Sequence, residues 1–128
     1  MSIAEPEVFF VPGTATRADI AARLFEDPTL TDSSCEASLL VYSGLPEGSS
    51  PSDAKSIWVF SNPPGPGRRR LTVRLSYDEG KTWPVAKLIE PVAAEYSSLT
   101  RLPDHSIGLL YERDVTPPGE YRVDIVFT

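Results

Sequence analysis

Eight residues, Ser76-Tyr77-Asp78-Glu79-Gly80-Lys81-Thr82-Trp83, constrain the fold of this chain more than any others. They read S-x-D-x-G-x-T-W. They follow a run in which Leu71, Val73 and Leu75 alternate with Thr72, Arg74 and Ser76. Alternation of period two marks a strand with one buried face. Asp78 can then accept hydrogen bonds from nearby backbone N–H groups, and Gly80 takes a positive φ at little cost. Thr82 and Trp83 start a return strand, with an indole large enough to cover the turn from its apolar side. The spacing predicts a hairpin whose turn satisfies itself, which makes it first of all a folding device.

The rest of the chain extends the same theme. Thirteen prolines and eight glycines among 128 residues fall between short apolar runs, the pattern of an all-β domain. That length is enough for one domain with its own core. CEASLLVYS, from Cys35, reads as a strand with Ser38, Leu40 and Tyr42 on one face and Leu39 and Val41 on the other. A polar loop over Gly44 to Lys55 leads to a second strand, Ser56 to Asn62, closed by Pro63-Pro64-Gly65-Pro66-Gly67. The hairpin supplies two more strands, the latter running through Val85, Ala86, Leu88 and Ile89. Ser97 to Leu102, a Pro103-Asp104 turn and Ile107 to Glu112 make a further hairpin. A loop with Thr116-Pro117-Pro118-Gly119 precedes a last strand, Tyr121 to Phe127. About seven short strands with turns at this spacing fit a sheet stack, barrel or propeller. Residues 1–34 form a poorly defined N-terminal segment before a β portion over 35–128. In it Glu7 to Val11 reads as a short strand. Residues 17–25 read either as a short helix after the capping-box-like Thr16-Arg17-Ala18-Asp19, or as a strand around Ala22 to Phe25.

Charge and composition exclude some classes of function. A net charge of -6 argues against nucleic acid or an anionic membrane as a general partner. No run approaches the roughly 20 apolar residues of a membrane span. The start, MSIAEPEVFF, shows neither a basic n-region nor an apolar h-region, and no compartment follows from that. The single cysteine, Cys35, leaves no internal disulfide and no cysteine metal cluster. No phosphate-loop or metal-ligand signature is present, no cofactor is expected, and the lone His105 is expected to face solvent in a turn.

Three residues beside the S-x-D-x-G-x-T-W turn carry candidate chemistry. Arg68, Arg69 and Arg70 open a strand after a Pro/Gly loop. The bland reading is a solvated basic cluster, and the sharper one has an arginine gripping a carboxylate bidentately. Tyr96 stands after a polar turn at the start of a strand, where most tyrosines only pack their ring. Glu112 follows Leu109-Leu110-Tyr111 at the end of an apolar strand, where a carboxylate calls for a cationic partner if buried.

Taken together, and in this order, SNPPGPGRRRL, the S-x-D-x-G-x-T-W turn, EYSSL and GLLYE resemble the C-terminal part of the exo-α-sialidases (neuraminidases). These are six-bladed β-propellers whose turn of this type is called the Asp box. Cys35-Glu36-Ala37-Ser38 also looks like that family's C-Q-G/A-S strand entry, with Glu in place of Gln. The resemblance covers about half of the chain well. It implies a partial sialidase-type β-propeller of antiparallel sheets, about two blades, with Ser76, Asp78, Gly80, Thr82 and Trp83 as the structural Asp box. It places Arg68 in the arginine triad that holds the sialic acid carboxylate, Tyr96 as nucleophile, and Glu112 as support for a triad arginine.

The implied chemistry is coherent. A sialoside carries a carboxylate on its anomeric carbon, so a neutral phenol avoids the repulsion that a carboxylate nucleophile would meet. The phenol needs a base partner to react near neutral pH. The family's acid/base aspartate, the glutamate that activates the tyrosine and the other two triad arginines lie far upstream. The resemblance assigns none of these roles to Arg17, Asp19, Arg23, Glu26 or Asp27. The expectation is therefore a C-terminal sialidase portion, directed at sialylated glycans and inactive alone, with exposed propeller edges that favour self-association. Two other readings stay open: a non-catalytic Asp-box module that binds carbohydrate or protein, and a plain structural β-domain.

Overall fold

The alternation before Ser76 and the turn after it fold as the spacing predicts. In the computed structural model, which describes residues 27–42, 56–115 and 122–128, Ser76 Oγ donates to Asp78 Oδ1 at 2.8 Å and accepts the Gly80 N–H at 2.8 Å. Asp78 Oδ1 also accepts the Thr82 N–H at 2.8 Å, while its Oδ2 accepts the Thr82 hydroxyl at 2.6 Å. Two side chains thus accept three backbone N–H groups of the turn, those of Asp78, Gly80 and Thr82. Gly80 has φ +84°, and a Cβ there would lie 2.9 Å from the ring of the buried Trp58. The glycine is needed both for the backbone conformation and for the close approach of that indole. Trp83 also comes near Gly80, half-buried against Phe60 with ring centroids 5.7 Å apart, and its Nε1 donates to Asp27 Oδ2 at 3.2 Å.

Six strands are present among the described residues: β1 (Ser38–Tyr42), β2 (Ile57–Asn62), β3 (Arg69–Ser76), β4 (Val85–Arg101), β5 (Ile107–Asp114) and β6 (Val123–Phe127). They pair antiparallel in chain order, β1-β2-β3-β4-β5-β6. Polar links join strands that are not neighbours. Ser38 Oγ on β1 accepts the Leu99 N–H at 3.0 Å, and the Ser61 and Ser97 hydroxyls of β2 and β4 meet at 2.8 Å in a fully buried position. The Tyr42 hydroxyl donates to the His105 carbonyl at 2.9 Å. Such contacts are possible only if the sheet curls back on itself. Its concave side holds the core of Leu71, Ala94, Leu109 and Tyr111, with Val73, Ile89, Leu99 and Val126 around it. Beside that core lies an apolar hollow of about 350 Å³ between Val73 and Leu75 on one side and Ile107 and Leu109 on the other. The convex side carries a second cluster, Leu30 and Phe60 with Ala37, Leu39 and Trp83. Residues just before Cys35 are therefore packed on the sheet. Asn62 Nδ2 to the Thr31 carbonyl at 2.8 Å and Ser33 Oγ to the Pro63 carbonyl at 2.7 Å stitch them down.

The all-β, antiparallel reading agrees with this sheet, and its first four strands form the four-stranded meander of a propeller blade. Three details differ from the sequence reading. The first strand begins at Ser38 rather than Cys35, and the return strand at Val85 rather than Thr82, because residues 82–84 are drawn toward Asp78 and Phe60. The two strands expected at Val85–Ile89 and Ser97–Leu102 are one element, β4. Residues 85–93 of it pair with β3 and residues 94–101 with β5. Pro91 does not end it, since the ladder to β3 is irregular there: Glu90 pairs with Leu71 and the next pair is Ala93 with Arg69. A missing N–H costs nothing where no ladder bond is due. The strand at Glu7–Val11 and the helix-or-strand at 17–25 fall outside the described residues. Among the described residues no helix is long and apolar enough to cross a membrane.

Two outcomes follow from the turn. Gly80→Ala forces a methyl against Trp58 at a strained φ and is expected to cost about 1–3 kcal/mol, read from the urea midpoint. Hydrogen bonds from the Thr82 hydroxyl and N–H, then Ser76, hold the Asp78 carboxyl below its ordinary 3.8, at about 2. A depressed carboxylate stabilises the fold above its unfolded value, and that contribution is lost as pH falls through its folded value. Wild type should therefore lose more stability than Asp78→Asn as pH drops from 3.8 to about 2, measured by thermal melts across that window.

Candidate active-site cleft

A bulge in β4 builds the site. Ala94 pairs with Arg113 and Ser97 with Tyr111, so Glu95 and Tyr96 together stand opposite the single residue Glu112. The extra residue resets the alternation. Ala94 and Ser97 both turn into the core, while Tyr96 joins Ser98 on the opposite, solvent-facing side. Bulges of this kind re-aim side chains, and they recur next to active sites. Tyr96 was expected just after a turn; it stands instead in the middle of a continuous strand and is 42% exposed.

Glu36, Tyr96, Ser98, Leu110, Glu112 and Ile125 are among the residues that line an open cleft of about 160 Å³. Glu112 is half-buried, inside β5 rather than at its end, and makes no ion pair among the described residues. The Tyr96 hydroxyl makes no hydrogen bond among them either. Its neighbour in the sheet, Tyr111, also borders the cleft but packs in the core. It is buried, donates to Glu90 Oε2 at 3.4 Å, and burial followed by the Glu90 charge pushes its phenol up. Of the two, Tyr96 is the phenol that a ligand can reach.

Arg68 stands immediately before β3 and is tied to β4 at backbone level, its carbonyl accepting the Ala94 N–H at 3.1 Å. Its guanidinium lies over the Tyr96 ring, 5.5 Å from the centroid. Nη1 pairs with Glu95 Oε2 at 2.8 Å, and Nη2 donates to the Ser34 carbonyl at 3.3 Å. The Glu95 hydrogen bond raises the Arg68 pKa further, and the guanidinium, like any arginine's, is a permanent cation. Cys35 itself is half-buried nearby; burial pushes its thiol up, outweighing the opposing pull of Arg68, which argues against a thiolate nucleophile.

The structure thus brings Arg68 against Tyr96 and Tyr96 into one cleft with Glu112. Arg69 and Arg70 are exposed and stay outside this group. His105 is exposed in its turn, with its ring against Arg101. Sequence reasoning missed two residues, Glu95 and Glu36. Glu95 directly precedes Tyr96, and only the bulge, which period-two patterning cannot signal, lets both sit beside Arg68. Glu36 was noted only as a substitution in a strand entry, but it lines the cleft.

No protein-family model matches the chain. It is 39% identical over 87 residues to a sialidase of Micromonospora viridifaciens, an alignment spanning 67% of this chain and 13% of that protein. It is 33% identical over 102 residues to an exo-alpha-sialidase of Aspergillus fumigatus, spanning 73% of this chain and 23% of the relative. Its structure resembles that of Hadza microbial sialidase Hz136 with a TM-score of 0.51 at 34% identity, over 64% of this chain and 16% of that one. The chain therefore spans only a minor part of the length of the relatives it matches. Within that span the sequence likeness and the curled antiparallel sheet agree, and the chain belongs to the sialidase family, of whose propeller-like fold it carries a portion.

Proposed function

We propose that this chain supplies the nucleophile side of an exo-α-sialidase site: Tyr96 as nucleophile, Arg68 as one grip on the sialic acid carboxylate, and Glu112 as the carboxylate that steadies a triad arginine. The observation that carries this reading is the β4 bulge, which turns Tyr96 out of the core beside Glu112 and under the Arg68 guanidinium. A bound sialoside would place its carboxylate on Arg68 and its anomeric carbon at the Tyr96 oxygen. Attack forms a tyrosyl–sialic acid bond as the bond to the aglycone breaks, and the departing oxygen takes a proton from an acid outside the matched positions. Water then cleaves the intermediate. The phenol must give up its proton to a base as it attacks, a role that the resemblance gives to a glutamate upstream of the matched region. Arg68 opposes a charge already present on the substrate, which fixes orientation before any bond changes.

The relatives' names carry the substrate class, sialylated glycans, and their greater length carries the expectation that turnover needs more of the propeller than lies here. A second reading, a module that binds sialosides without cleaving them, is favoured by one observation. The Tyr96 hydroxyl has no base within hydrogen-bonding distance among the described residues.

Two measurements separate these readings. In the chain itself, titration with a sialyllactose followed by NMR should show binding that Arg68→Ala abolishes and Tyr96→Phe spares. In a chimera whose matched segment from a complete relative is replaced by residues 56–114 of this chain, Tyr96→Phe should cut sialoside turnover on the order of 10³-fold or more. Full turnover by that variant would remove Tyr96 from the nucleophile role.

A further inference from the structure

The Arg68–Glu95 pair has a consequence beyond holding two strands together. A carboxylate ligand is best held by two N–H groups of one guanidinium. In this structure both terminal nitrogens of Arg68 already have acceptors belonging to the chain: Glu95 Oε2 on Nη1 at 2.8 Å and the Ser34 carbonyl on Nη2 at 3.3 Å. Glu95 is the more sheltered partner, its side chain 15% exposed against 41% for Arg68. The bulge gives it this position, since it lets Glu95 reach Arg68 while the adjacent Tyr96 faces the cleft. Glu95 therefore presents to Arg68 the same functional group that the proposed substrate would present.

We propose that Glu95 is an internal competitor for the carboxylate site on Arg68: a ligand carboxylate must displace it, or share the guanidinium and sit against its negative charge. This rests on the reading of Arg68 as a carboxylate grip. It assigns Glu95 a definite sign, because a partner that merely positions Arg68 strengthens ligand binding, whereas a competitor weakens it. Glu95 thus sets how strongly the site discriminates between acidic and neutral sugars. It keeps the guanidinium satisfied when no ligand is bound, and it disfavours weak anions that cannot outbid a carboxylate already in place.

The test uses the 128-residue chain and free N-acetylneuraminic acid, with its methyl ester as the uncharged probe, followed by NMR shifts at Arg68 and Tyr96. Glu95→Gln keeps the shape and an oxygen acceptor but removes the charge. It should bind the acid roughly two- to fivefold more tightly than wild type, the scale of a part-exposed ion pair. It should leave the ester unchanged. Glu95→Asp, which keeps the charge, should stay near wild type. Equal or weaker acid binding by Glu95→Gln, with a dispersed spectrum showing that it is folded, overturns the competitor role while an Arg68→Ala loss of binding leaves the grip standing. Equal tightening by Glu95→Asp or toward the ester also overturns it, since charge is then not the cause. Acid binding that Arg68→Ala leaves untouched, or no shift in any protein, removes the grip and the competitor together.

Discussion

The two-for-one bulge in β4 is the constraint on which the site depends. Were β4 regular through Ala94–Ser97, a single residue would face Glu112, and side chains two apart would share a face. Ala94 and Tyr96 would then point the same way, and Ala94 is part of the core. A tyrosine hydroxyl carried into that core would need a partner of its own, as Tyr111 finds in Glu90. The inserted residue removes the conflict. It lets β4 bury Ala94, Ser97 and the half-buried Leu99 along one side and still show Tyr96 to solvent on the other. The buried Ser61–Ser97 hydroxyl contact then ties this stretch of β4 to β2, because parting the two would leave both hydroxyls unsatisfied in a dry interior.

The curl of the sheet and the geometry of the site share this cause. β4 serves two sets of partners, β3 along its first half and β5 along its second. The irregularities at Glu90–Ala93 and at Glu95–Tyr96 bracket the point of exchange. A strand that bends between two ladders brings the end of the Pro/Gly loop, where Arg68 lies, against its own midpoint. The Arg68 carbonyl to Ala94 N–H bond fixes that approach through the backbone, independently of the side-chain ion pair. Placement of the guanidinium near Tyr96 thus comes from the path of the main chain, while Glu95 decides which of its hydrogens are free.

What the sequence made legible was local. In the S-x-D-x-G-x-T-W turn the accepting role of Asp78 and the positive φ of Gly80 could be read, because the Asp78 bonds to Ser76 and Thr82 stay within seven residues. The strands could be read from alternation, with Ser38 and Tyr42 on the face opposite Leu39. The candidate trio Arg68, Tyr96 and Glu112 was visible only through family resemblance, and nothing in their spacing shows that they converge. Trp58, which closes over Gly80, was read merely as part of an apolar strand, since a contact across 22 positions leaves no trace in periodicity. The fusion of two strands into β4 was hidden by Pro91, ordinarily a reason to end a strand. Glu95 escaped for a related reason. Beside Tyr96 in sequence it should have pointed to the opposite face, and only an irregular backbone brings both to Arg68.

Electrostatics gives these placements their functional meaning. A guanidinium that waits for an anionic substrate is costly to leave bare in a partly sheltered position, yet a firmly neutralised one has little attraction left to offer. The chain lies between these limits. Arg68 has one charged partner, one neutral carbonyl and an aromatic face, and it remains 41% exposed. The aromatic contact matters because it orients the cation without cancelling its charge. An arginine held mainly by Tyr96 and Ser34 would keep its full attraction for a carboxylate; with Glu95 on Nη1, part of that attraction is already spoken for. The same tyrosine ring that orients the cation carries the hydroxyl proposed to react. The two proposed roles, carboxylate grip and nucleophile, therefore meet at one side chain, and any shift of the bulge moves both at once.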